Sequence, residues 1–327
     1  MKNKTQKRIG LLTSGGDSSG MNACIRAVVR TAVFQGHRIY GIYKGYQGLL
    51  DNLIKEMSPR NVGGIINTGG TILQTSRCKE FFTASGRKRA FENMKQHGIN
   101  ALIVIGGDGS FHGLHKMIKE FRIQGIGLPG TIDNDLYGTD FTIGFDTAIN
   151  TAMEAIDKIR DTATSHSRLF IVEVMGRDSG YLAQYCGIAG GAEDILIPEK
   201  KDDIRKIAQK LEAGFHKGKK SSILVVSEGD ETGNAFEIKE QIRKLVDWEI
   251  RVSILGHIQR GGSPSAVDRF LATRMGFESV IAVNEGRTDK MVGIVNNQIK
   301  LTPLEQTWTR KKKIDLAFYK MIDALSI

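Results

Sequence analysis

Eight apolar runs of strand length punctuate the sequence: RIGLLTS, HRIYGIY, ALIVIGG, QGIGLPG, LFIVEVM, EDILIPE, SSILVVS and VSILGHI. Helix-length periodic segments lie between most of them. A parallel strand pair needs a long crossover, and a helix is its usual form, so this alternation predicts an α/β fold with mostly parallel sheets covered by helices. Ligands in such folds sit beyond the carboxyl ends of the strands. The residues just after the runs are unusual ones: SGGDSSGMN (14–22), GGDGS (106–110), PGTIDND (129–135), MGRDSG (175–180), SEGD (227–230) and GHIQRGGS (256–263).

At 327 residues the chain is long enough for two domains of ordinary size. It contains 38 glycines but only 5 prolines, which points to many tight turns and few disordered linkers. No stretch reaches the apolar length of a membrane span, and the start, MKNKTQKRIG, is basic without a signal-peptide core, so a cytoplasmic protein without membrane partners is expected. Cys24, Cys78 and Cys186 fit no zinc spacing or CxxC pattern, in keeping with a reducing compartment. A net charge of +10 suits nucleic acid and small polyphosphates equally. The basic runs KGKK (217–220) and RKKK (310–313) lack interleaved aromatics, which argues against a nucleic-acid partner.

Two strand ends look alike, since GLLTSGGD and LIVIGGDG each deliver Gly-Gly-Asp into a helix-like segment. They are either related halves of one nucleotide site or two tight turns. The stretch GGDSSG (15–20) has the outer glycine spacing of a P-loop, but Met21 and Asn22 replace its lysine and hydroxyl residue. A glycine turn at a helix N-terminus can still bind phosphate through backbone N–H groups. GIGLPG (125–130) matches the dinucleotide fingerprint GxGxxG in letters, yet it ends in Pro129 and runs into TIDND rather than a helix, so it is set aside. Within GGDGS an acid between glycines can hold magnesium while nearby amides approach phosphate oxygens. The paired Asp133 and Asp135 can divide metal and proton work. Arg77, Arg168, Arg177, Arg251 and Arg260 recur near the strand ends, and guanidinium forks match phosphoryl geometry.

Taken together, LTSGGDSSGMNACIRAVVR, VIGGDGS, IGLPGTIDND, VEVMGRDSGY and LGHIQRGGSPSAVDR resemble the bacterial-type ATP-dependent 6-phosphofructokinases, from about Lys7 to Gly293 and in the family's order. The resemblance implies two similar three-layer α/β domains with the active site in the cleft between them. Residues 1–144 plus 257–307 would form the ATP-binding domain, and 145–256 plus 308–327 the fructose 6-phosphate-binding domain. It implies a homotetramer, magnesium as cofactor, and a glycolytic kinase that phosphorylates the sugar 1-hydroxyl.

Carried over by motif, Gly16, Tyr46, Arg77, Cys78, Gly107, Asp108, Gly109 and Ser110 would bind ATP, with Asp108 the magnesium ligand. Thr131, Asp133, Asp135, Met175, Gly176, Arg177, Glu228, His257 and Arg260 would hold fructose 6-phosphate. Arg168 and Arg251 would reach into a neighbouring subunit's site to grip the 6-phosphate. Asp133 would be the general base, with Thr131, Arg77, Arg177 and Gly16 completing the catalytic set. Arg26, Arg30, Arg160, Glu193, Lys217 and Lys219 match an effector site for ADP or phosphoenolpyruvate. Pro59, Gly64 and Ser221 depart from that site's usual arginine, aspartate and histidine.

Pyrophosphate-dependent relatives carry an aspartate and a lysine where this chain has Gly109 and Gly130. Small residues there would leave room for the nucleotide's α-phosphate, so ATP is the expected donor. The alternatives are a pyrophosphate-dependent phosphofructokinase and, further off, an NAD or lipid kinase with the same GGDG signature.

Overall fold

The computed structural model describes residues 6–164, 168–219 and 221–325. The chain divides into two compact units. The first holds the residues up to Ile132, Leu136–Thr147 and Arg260–Lys312; the second holds Asp133–Asp135, Ala148–Gln259 and the residues from Lys313 on. The divisions fall after Thr147 and Gln259, where the sequence reading puts them after 144 and 256.

In the first unit the chain runs β1 (Arg8–Thr13), α1 (Met21–Phe34), β2 (Arg38–Ile42), α2 (Gly45–Leu50), β3 (Ile54–Met57), α3 (Ala84–Gln96), β4 (Ala101–Gly106), α4 (Asp108–Phe121) and β5 (Gln124–Pro129). Helix α5 (Phe145–Thr164) crosses into the second unit, which continues with β6 (Leu169–Val174), α6 (Tyr181–Ala189), β7 (Asp194–Leu196), α7 (Ile204–His216), β8 (Ser222–Ser227), α8 (Ala235–Arg243) and β9 (Ile250–Ile254). The chain then returns to the first unit with α9 (Ala266–Asn284), β10 (Lys290–Val295), β11 (Gln298–Pro303) and α10 (Gln306–Thr309), and ends in the second with α11 (Phe318–Leu325).

The first unit carries a seven-stranded sheet in the order β11-β10-β5-β4-β1-β2-β3, parallel except for the outer pairings of β3 and β11. Its central strands are apolar on both faces because both are covered. Ile9 and Leu11 of β1 join Ile103 and Ile105 of β4 under α1 and α9, while Leu12, Leu102 and Val104 pack with α2, α3 and α4 on the other face. The letters GIGLPG form strand β5 rather than a phosphate loop, as the sequence reading expects. Its glycines make room for helix α4: a Cβ on Gly127 would lie 2.7 Å from Phe111, and one on Gly125 2.6 Å from Ile118.

The second unit has four parallel strands in the order β7-β8-β6-β9, which leaves β9 at an edge. Leu169, Ile171, Leu224 and Val226 face α7 and α8. A Cβ on Gly187 of α6 would collide with Ile195 of β7, so that helix lies close against the sheet. The two units share this layered plan but differ in strand number.

Candidate active site

The two Gly-Gly-Asp turns lie side by side in the first unit. Strands β1 and β4 are parallel neighbours with Thr13 opposite Ile105, and the Ser14 N–H continues the ladder by donating to the Ile105 carbonyl at 2.9 Å. A Cβ on Gly106 would lie 2.5 Å from the Ser14 carbonyl, so glycine is what lets the turns meet. Gly15 and Gly20 have φ of 87° and 113°, the left-handed region that glycine enters without penalty. Helices α1 and α4 start directly after these turns, and neither is capped by a side chain. The Met21 N–H donates to the Ser18 carbonyl and the Gly109 N–H to Asp108, which leaves the other N–H groups of these first turns to meet an anion.

Asp108 opens α4 and is exposed, its Oδ1 accepting the Gly109 N–H at 2.6 Å. A Cβ on Gly109 would meet nothing within 4 Å. Among the described residues no cluster of three or more His, Cys, Asp or Glu side chains is arranged to hold a metal. A single exposed carboxylate suits magnesium, which keeps several waters and binds through one or two carboxylates plus substrate phosphates.

Tyr46, a nucleotide candidate of the sequence reading, is packed into the apolar cluster on the α4 side of the sheet. It is only 6 % exposed, its ring stacks on Phe81 with centroids 4.0 Å apart, and its hydroxyl donates to the Ser110 carbonyl at 2.6 Å. Burial raises its pKa. Its contribution is to brace the first turn of α4 from below. Cys78 is half-buried against the same apolar cluster, and burial pushes its thiol pKa up. Arg77 is exposed at the end of a loop tied to β1, where Thr13 Oγ1 donates to the Gln74 carbonyl at 2.9 Å.

Gly130 has a packing role beside the one the sequence reading gives it. It is buried, and a Cβ there would sit 2.8 Å from Ile105 Cγ2 and 3.1 Å from Met21 Cε, so core packing requires its smallness. Arg260, expected among the sugar-phosphate residues, falls in the first unit: its Nη1 donates to the Asp17 carbonyl at 3.2 Å, and its guanidinium packs against Gly16. Thr131 follows β5 in that unit, its carbonyl accepting Thr142 Oγ1 at 2.6 Å.

The second unit gathers most of the remaining sugar-phosphate candidates. Met175, Gly176 and Arg177 leave β6, and Glu228 leaves β8 alongside, its N–H donating to the Val174 carbonyl at 2.9 Å. Glu228 Oε1 accepts the Arg177 N–H at 2.9 Å, so the acid shapes the turn as well as facing solvent. Asp133 is 7 % exposed and Asp135 exposed; Ser179 Oγ donates to the Asp133 carbonyl at 3.0 Å. His257 is exposed, while its neighbour Gln259, which the sequence reading passed over, is 1 % exposed and accepts the Met175 N–H through Oε1 at 2.8 Å. No pattern in the letters marks that role, because it depends on a contact between residues 84 apart.

Arg168 and Arg251 lie at the other end of this sheet. Arg168 precedes β6 and Arg251 is the second residue of β9, whereas Arg177 follows the carboxyl end of β6. Six residues of strand separate them, roughly 20 Å. These two arginines do not share the strand ends of the other candidates, which corrects the expectation that all five do.

Of the effector candidates, Arg160 Nη2 donates to the Gly190 and Gly191 carbonyls, the latter at 2.8 Å. Glu193 is buried, pairs with Lys219 at 2.9 Å and accepts the Ile223 N–H. Lys217 is exposed at the end of α7, and Arg26 and Arg30 lie one turn apart on α1 of the first unit.

The geometry defines an α/β protein of two units with glycine turns at its strand ends, and comparison with known proteins gives its family. Residues 8–283 match the phosphofructokinase family model. The chain is 53% identical over 321 residues to an ATP-dependent 6-phosphofructokinase of Brevibacillus brevis, covering 98% of this chain and all of that one. Its fold is similar to that of phosphofructokinase from Saccharomyces cerevisiae, with a TM-score of 0.88, 37% identity and coverage of 98% of this chain and 47% of the yeast chain. A pyrophosphate-dependent phosphofructokinase from Marinobacter aquaeolei is more distant in sequence, at 25% identity, with a TM-score of 0.84 and coverage of 95% and 86%. The chain belongs to the phosphofructokinase family.

Proposed function

We propose that the chain is an ATP-dependent 6-phosphofructokinase, moving the γ-phosphoryl group of ATP to the 1-hydroxyl of fructose 6-phosphate in cytoplasmic glycolysis. The observation that carries the donor assignment is the open space at Gly109 beside Asp108, room that a nucleotide's extra phosphate needs and pyrophosphate does not. The close relative is named for ATP, while the pyrophosphate-dependent one is distant.

Gly107 to Ser110 and the turn around Gly16 offer backbone N–H groups to the nucleotide phosphates, and Arg77 adds a cation. Asp108 would hold magnesium, which when bound neutralises charge on the phosphate oxygens. Asp133 accepts the proton of the attacking hydroxyl, and Thr131 and Arg177 stabilise charge on the group in flight. Asp135, Met175, Gly176, Glu228, His257 and Arg260 orient the sugar phosphate.

Arg168 and Arg251 take a 6-phosphate at the amino ends of β6 and β9. Their distance from Met175 to Arg177 supports the role that the resemblance implies, in another subunit's substrate site within a homotetramer. Arg26, Arg30, Arg160, Glu193, Lys217 and Lys219 are the candidates for holding an anionic effector such as ADP or phosphoenolpyruvate.

The test is fructose 1,6-bisphosphate formation with magnesium, ATP and pyrophosphate being compared as donors at equal concentration. Turnover with ATP alone is expected. Turnover with pyrophosphate alone would overturn the donor assignment, and silence with both the whole reading.

A further inference from the structure

The parallel register of β6 with β9 sets Leu169 opposite Ile250 and Phe170 opposite Arg251, and the Leu169 N–H donates to the Glu249 carbonyl at 3.1 Å. One residue further toward the amino ends, this register brings Arg168 beside Glu249. Side chains two apart on a strand emerge on one face, so Glu249 and Arg251 point the same way. The result is a three-membered array. Glu249 Oε2 accepts Arg168 Nε, and Glu249 Oε1 accepts Arg251 Nη2.

All three side chains reach solvent. The hydrogen bond from Arg168, helped by the charge of Arg251, holds the Glu249 carboxyl below the usual range, so it is ionised near neutral pH. Exposed ion pairs contribute little to folding. What the array does present is two guanidinium groups converging on one anion, the donor set that a phosphoryl dianion takes.

We propose that Glu249 is an internal competitor for the sugar-phosphate arginines: without substrate its carboxylate occupies Arg168 and Arg251, and the arginines must let it go to grip a 6-phosphate. The proposal deepens the functional reading and rests on its assignment of those two arginines. Glu249 is a positioning residue. A dianion displaces it because each guanidinium gains a more highly charged partner, whereas a monoanion gains nothing over the carboxylate already there. The carboxylate therefore weakens binding of the sugar phosphate while screening the arginines from weaker anions.

Glu249→Gln removes the charge and keeps the size. With saturating ATP, KM for fructose 6-phosphate should fall roughly 3- to 10-fold, kcat should stay within about twofold, and inorganic phosphate should inhibit competitively at a concentration lower by the same factor. Glu249→Ser should shift KM in the same direction, so a defect peculiar to one variant does not decide the matter. In an Arg168→Ala/Arg251→Ala background, Glu249→Gln should leave KM unchanged. If the arginine variants raise KM at least about tenfold but the Glu249 variants leave it unchanged or raise it, the competitor is overturned and the arginine assignment stands. If the arginine variants themselves leave KM unchanged, the assignment fails, and the competitor with it.

Discussion

Glu228 Oε1 accepts the backbone N–H of Arg177 at 2.9 Å, and Arg177 stands at a φ of 54°. A side chain other than glycine costs about 1 kcal/mol or more in that left-handed region, so the turn needs support. Gly229 completes it, since a Cβ there would run into the Arg177 carbonyl. Removing the acceptor should let the turn relax and misaim Arg177. Glu228→Ala is expected to raise KM for fructose 6-phosphate on the order of tenfold, with a smaller rise in Glu228→Gln, which keeps an acceptor oxygen. Equal effects of the two variants would assign the role to charge rather than to the turn.

Asp133 is assigned the proton of the sugar hydroxyl, and it is 7 % exposed. Asp133→Ser should lower kcat about a hundredfold to ten-thousandfold with KM moved far less. Turnover within a fewfold of the natural protein would end the general-base assignment.

The two glycines of the donor argument should separate by experiment. Gly109 faces open space, so Gly109→Asp should leave thermal stability nearly untouched while turnover with ATP falls through repulsion of the phosphates. Gly130 faces Ile105 and Met21, so Gly130→Ala should overpack the core at a cost of roughly 1–3 kcal/mol and lower Tm by several degrees. Calorimetry of both variants checks the contrast, which a stable Gly130→Ala would contradict.

Asp268 lies fully buried near the start of α9, with Oδ1 accepting the Gly144 N–H and Oδ2 accepting the Thr147 N–H, each at 2.8 Å. Desolvation outweighs these bonds and pushes its pKa up to about 6. The folded state therefore holds this proton more tightly than the unfolded chain, where aspartate titrates near 4. The stability it contributes is full below about pH 4 and is lost as the pH rises through about 6. Urea unfolding of the natural protein and Asp268→Asn between pH 4.5 and 7.5 should show the natural protein losing ground as pH rises, by up to about 3 kcal/mol. A constant difference would mean that Asp268 titrates normally.

The central strands were legible because burial on both faces makes them continuous apolar runs: RIGLLTS, ALIVIGG and LFIVEVM coincide with β1, β4 and β6 to within a residue or two. Strands β3, β10 and β11 escaped notice. IKEM is short with two exposed charged residues, and QIKLTP has one face toward solvent, so neither forms an apolar run. VSILGHI was placed too late, since β9 starts at Ile250 and gives way to a 3-10 turn at Gly256. Among the site residues, the glycine turns and Asp108 were legible from local spacing. Tyr46, Gly130 and Gln259 were not, because their roles depend on Ser110, Ile105 and Met175, partners that only tertiary packing supplies.

The order of the seven-stranded sheet has a bearing on how the protein is made. Helix α9 covers the α1 face with Leu271, Met275 and Val283, and β10 pairs with β5. Both are translated only after the whole stretch from Ala148 to Gln259. At ordinary elongation rates that interval lasts on the order of ten seconds. Throughout it the nascent first unit carries an uncovered apolar surface and an open parallel edge at β5, features that favour aggregation until the chain's last third completes the core.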